Sequence, residues 1–178
     1  GYSVSLKHNV DPYSQYIVKG SWWGNSQNRI VFRYADVLLE RAEAYAQLGQ
    51  SAEAIALVNR LRERAQTSMN GIIANYPNDY GVRMNVGLYS GSYDKEQTLK
   101  IVKMERRLEK GMESERFFDL VRWGEAAEVL NKYYAEEVND CSIYSEAYFT
   151  KNKGEYLPIP FSQIAASNGH YTQNIGGW

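Results

Sequence analysis

The chain has 178 residues, a formal net charge of −1 and a pI near 6.2, so no sequence-wide basic field would recruit nucleic acid. Hydrophobic residues make up 44% and charged residues 23%, the composition of an ordinary globular domain with enough apolar side chain for a core. The longest apolar run, Ala54 to Val58, is far short of the ~20 residues that a membrane-spanning helix needs. One cysteine, Cys141, permits no internal disulfide, and with only His8 and His170 no metal site is expected. The 15 tyrosines and 4 tryptophans are a rich aromatic content for a helical protein and suggest a binding surface.

Residues 1–28 have no helical period. Asp11-Pro12, Gly20 and Gly24-Asn25 are turn signals, so an irregular lead-in with at most a short strand is expected. The start at Gly1-Tyr2-Ser3, without Met or signal peptide, is read as a mature, processed or excised chain.

From Ile30 the pattern becomes helical. Tyr34, Val37, Leu38, Ala42, Tyr45 and Ala46 fall on one face, and Gly49 stands where a helix ends. Ser51 is placed to cap a second helix whose buried stripe is Ala54, Val58, Leu61 and Ala65, with Arg62 and Arg64 at its rim or outside. So short a connection makes the two helices antiparallel neighbours. The spacing of Ala42, Tyr45, Gly49 and Ala54 is that of a tetratricopeptide-type hairpin, present once.

Residues 67–93 break the pattern with Asn70-Gly71, Pro77-Asn78 and further glycines, predicting a long aromatic loop. Asp94 and Gln97 form a capping-box pattern for a third helix that ends near Gly111. A fourth carries Phe117, Leu120, Val121 and Gly124, and a fifth carries Ala126, Val129, Leu130, Tyr133 and Tyr134. From Asn139 onward the chain reads as irregular, with a rigid extended stretch at Tyr156-Leu157-Pro158-Ile159-Pro160. The predicted class is mainly α with long, aromatic-rich loops.

Glu105, Arg107, Glu109, Glu115, Arg116, Asp119 and Arg122 crowd charge into a short stretch. Two opposed carboxylates would suit glycoside hydrolysis, but each acid has an arginine within four residues, which keeps it ionised and favours structural ion pairs. Asp119 is expected to form a buried or half-buried pair with Arg107, Arg116 or Arg122. The chain is therefore read as non-enzymatic, without cofactor. No phosphate-loop or nucleophile-elbow spacing occurs. Trp22 and Trp23, among Gly, Ser and Asn, are the first candidates to stack on a ligand, with Tyr89 and Tyr93 second; the competing reading is that they pack the loops onto the helices.

In order, Arg33-Tyr34-Ala35-Asp36-Val37-Leu38-Leu39-Glu40-Arg41-Ala42-Glu43-Ala44, then Asn59-Arg60-Leu61-Arg62-Glu63-Arg64-Ala65, then Glu105-Arg106-Arg107-Leu108-Glu109 with Glu115-Arg116-Phe117-Phe118-Asp119-Leu120-Val121-Arg122-Trp123-Gly124, then Leu157-Pro158-Ile159-Pro160 and Gln173-Asn174, resemble the C-terminal region of SusD/RagB-like proteins. The resemblance runs from about residue 29 to 178. It implies a non-enzymatic, nutrient-binding, outer-membrane lipoprotein of Bacteroidetes that usually takes glycans. Such a protein delivers its ligand to a SusC-like TonB-dependent transporter. It also implies an N-terminal half and a lipid-bearing N-terminal cysteine that this chain does not contain, the missing half covering the Leu38/Leu39 or Val58 side of the hairpin. The rival reading is a tetratricopeptide-like protein-interaction scaffold, for which charges rather than aromatics should dominate the exposed concave face.

Overall fold

The computed structural model describes residues 13, 15, 17, 18, 24–26, 28, 30–75 and 85–178. It forms two compact units, Gly1–Met112 and Glu113–Trp178. In the first, β1 (Ile17–Val18) and β2 (Gly24–Asn25) pair antiparallel, Ile17 opposite Asn25 and Val18 opposite Gly24. The helices α1 (Tyr34–Gln47), α2 (Ser51–Asn75) and α3 (Lys95–Glu109) follow.

The first hairpin forms as its spacing predicts. Gly49 takes φ +78°, the left-handed conformation that ends α1 without Cβ strain. Ala42, Ala46, Ala54, Val58 and Val102 form one buried cluster, the small residues letting α1, α2 and α3 approach closely. A second cluster joins Ala35, Leu38, Leu39 and Leu61. Leu38, Leu39 and Val58, expected to await cover from another segment, are already buried inside this unit, the two leucines clustered with Leu57 and Leu61 of α2 and Val58 with Val102 of α3. Exposed apolar side chains include Val31, Phe32, Tyr34 and Val37 on the approach to α1 and its first turn.

Two boundaries differ from expectation. Ser51 lies within α2 and its hydroxyl hydrogen-bonds that of Thr98 at 2.9 Å, while the Gln50 carbonyl accepts the first helical bond from Ala54. The second helix continues through Asn70-Gly71 to Asn75, where a break was predicted. Thr67 and Ser68 donate their hydroxyls to the carbonyls of Glu63 and Arg64, which keeps these polar residues compatible with the helix. The third helix starts as predicted: the Gln97 N–H donates to Asp94 at 2.8 Å and the Asp94 N–H to the Gln97 side chain at 3.1 Å.

In the second unit α4 (Arg116–Arg122) and α5 (Ala126–Glu137) meet at Gly124, which has φ +73°. Leu120, Ala126 and Phe149 form the core, flanked by Val121, Trp123, Val129, Leu130 and Tyr134. The stretch after Asn139 is not wholly irregular, since it contains a 3-10 turn (Ser142–Glu146) and α6 (Phe161–Ala166). Pro160 immediately precedes α6, and its lack of an N–H costs nothing there. At Gly176 (φ +103°) a Cβ would lie 2.5 Å from the Asn152 carbonyl oxygen, so only glycine fits.

Candidate functional site

The groove that gathers predicted ligand residues lies in the first unit, between the start of α2 and residues 89–93. Its volume is about 440 Å³, within the range of small-molecule clefts. From α2 come Ser51, Ile55 and Asn59 with two alanines. From the loop come Tyr89 and Tyr93 with Ser90, Gly91 and Ser92.

One asparagine builds this wall. The Asn59 side chain accepts the Tyr89 N–H at 2.9 Å and donates to the Tyr89 carbonyl at 2.8 Å, pairing with the loop as a neighbouring strand would. Arg62 and Gln66, farther along α2, donate to the carbonyls of Gly87 and Val86. The loop backbone is thus satisfied by helix side chains rather than by a sheet.

Tyr89 and Tyr93 are half-buried, not fully exposed as loop aromatics were expected to be. The two rings meet edge to face, 6.0 Å apart at 86°. Tyr89 packs on the hairpin core, and the Arg62 guanidinium sits 4.9 Å from its ring centre. The Tyr93 ring folds over Gly91, whose N–H donates to the Tyr93 hydroxyl at 3.3 Å. A Cβ at position 91 would stand 3.1 Å from that ring, so a side chain there would push it aside. Trp22 and Trp23 lie outside the described residues.

The charged stretch forms a lattice whose partners come mostly from other helices. Glu105 pairs with Arg62 at 2.7 Å, while Arg107 is exposed. Glu109 receives Arg33 at 2.7 Å and Arg64 at 2.8 Å. Asp36 and Lys110, not singled out in the sequence, form a pair buried on both sides, at 2.6 Å with side chains 2% and 4% exposed. Burial alone would raise the Asp36 carboxyl pKa. The Lys110 ammonium, the Arg33 N–H and the nearby Arg106 charge outweigh it and hold the group below its usual value.

In the second unit Glu115 is half-buried at the start of α4. Asp119 is buried and takes Arg122 at 3.2 Å, although the Arg122 side chain is 43% exposed. Arg116 and Arg122 both lie over the Trp123 ring, at 5.8 and 4.9 Å. Among the described residues no cluster of His, Cys, Asp or Glu could hold a metal ion, and no helix is long and apolar enough to cross a membrane.

The same arrangement of helices is found in a solved SusD homolog from Bacteroides thetaiotaomicron, at TM-score 0.66 and 25% identity, covering 92% of this chain and 30% of that one. The SusD family model matches residues 2–178. The chain belongs to the SusD family. Its relatives include SusD-like protein P38 of Formosa agariphila, 42% identical over 105 residues that span 58% of this chain and 18% of that protein. SusD-like proteins P2 and P25 of the same organism are 28% and 27% identical over 85% and 96% of the chain. The chain spans 18 to 30% of the length of these three SusD-like relatives. It is a SusD/RagB-like protein of Bacteroidetes, mainly helical.

Proposed function

We propose that the protein to which this chain belongs binds a nutrient glycan at the cell surface, without chemistry of its own, and that residues 29–178 form a C-terminal part of it. Family membership supports the binding role. The observation that carries the glycan reading is the Tyr89–Tyr93 pair beside serine hydroxyls in an open groove. Sugar rings present C–H faces that stack on aromatics and hydroxyls that exchange hydrogen bonds with serines and backbone groups. The same lining, aromatic and free of charge, favours this reading over a tetratricopeptide scaffold. Delivery to a SusC-like TonB-dependent transporter, and anchoring at the outer membrane through a lipid on an N-terminal cysteine, complete the proposal. Trp22 and Trp23 are retained as further contacts.

The test is titration of neutral and acidic oligosaccharides against the intact protein and its Tyr89→Ala, Tyr93→Ala, Trp22→Ala and Trp23→Ala variants. Each stacked ring contributes about 1 kcal/mol, so loss of one should weaken binding roughly fivefold. Unchanged affinity in all four folded variants would remove the binding surface from this chain.

A further inference from the structure

We infer that the groove selects uncharged glycans and discriminates against uronate and sulfated ones. This rests on the groove being a glycan contact, as proposed above. No residue lining it carries a charge: its polar groups are the hydroxyls of Ser51, Ser90, Ser92, Tyr89 and Tyr93 and the Asn59 amide. That amide is spent on the Tyr89 backbone, through both its oxygen and its nitrogen.

The Arg62 cation beside the Tyr89 ring is committed elsewhere. The Arg62 guanidinium lies against the Tyr89 ring, pairs with Glu105 at 2.7 Å and donates to the Gly87 carbonyl. Asp94 receives the Gln97 N–H at the start of α3, and Lys100 pairs with Glu96 at 2.7 Å. A carboxylate or sulfate entering the groove would shed water and gain no cation from the lining, whereas a neutral sugar exchanges its hydroxyl hydrogen bonds for those of serine and tyrosine. Charge is thus the property on which the groove discriminates, and ring stacking the property on which it is tolerant.

The experiment uses hexamers of galacturonate, mannuronate and glucuronate, each beside its carboxyl-reduced neutral counterpart, so that members of a pair differ only in carrying a carboxylate or a hydroxymethyl group at C6. Each is titrated against the intact protein and its Tyr93→Ala and Ser90→Arg variants, with folding checked by thermal melting. In every pair that binds, the neutral member should bind at least tenfold more tightly. Tyr93→Ala should weaken it, and Ser90→Arg, at an exposed position, should narrow the preference. An acidic member that binds as tightly as its neutral partner, and is weakened by Tyr93→Ala, would overturn the selectivity and leave the groove as the site. Binding untouched by Tyr93→Ala would overturn the groove itself. Failure of every neutral member to bind overturns the inference as well.

Discussion

At the scale of single residues, two ion pairs separate what burial does to the worth of a charge. Asp36 and Lys110 are both withdrawn from water, so Asp36→Ala takes a carboxylate partner from a buried ammonium and should cost about 3 kcal/mol in urea unfolding. Asp119→Ala leaves Arg122 partly hydrated and still lying over Trp123, and should cost less than Asp36→Ala. Because the folded Asp36 pKa is depressed, its stabilisation is present above the ordinary carboxylate value of about 4. It is lost as pH falls through the lower folded value. Acid unfolding should therefore begin below about pH 4 in the parent, and Asp36→Asn should flatten that part of the profile. Tyr133 offers a spectroscopic check in the second unit. A hydrogen bond to Tyr144, then burial and the Glu137 charge, push its pKa up to about 12. In ultraviolet titration Tyr144→Phe should return one tyrosine toward about 10. The sequence made the ion-pairing character of Glu105, Asp119 and Arg122 legible. Pairings between elements were not: neighbours along the chain suggest only local partners, whereas Arg62, Arg64 and Arg33 reach their acids from other elements.

Among the elements, ends were more legible than continuations. Gly49, Gly124 and the Asp94–Gln97 box mark their helix termini through local chemistry that needs no tertiary context. The extension of α2 through Asn70-Gly71 was hidden because Gly and Asn are weak helix formers, and helix hydroxyl bonds at Thr67 and Ser68 leave no trace in hydropathy. The groove was half legible. Tyr89 and Tyr93 could be chosen as loop aromatics, but the wall opposite them depends on Asn59, which in the sequence is only one polar residue on a helix. The device recurs: Asn131 accepts the Phe149 N–H at 2.7 Å and donates to its carbonyl, and Gln173 does the same for Ile159. Asn59→Ala should cost about 1–3 kcal/mol by leaving the Tyr89 backbone groups unpaired, and should speed exchange of the Tyr89 amide. At the hairpin crossing, Ala42 is fully buried between helices, so Ala42→Leu should overpack it and cost about 1–3 kcal/mol in the same unfolding assay.

At the scale of the whole molecule, each unit owns a core: alanines and valines under α1–α3 in one, Leu120, Ala126 and Phe149 in the other. Family identity was carried by the order of several modest motifs, none of which specifies a ligand. As proposed above, this part of a SusD-family protein touches glycan through the wall that Asn59 holds against α2. Hydrogen exchange of the intact protein, with and without a saturating neutral hexasaccharide, tests it most directly. With sugar bound, exchange should slow in peptides covering residues 85–94, with no comparable change in residues 116–137. Bound sugar that protects other segments and leaves residues 85–94 unchanged would contradict it.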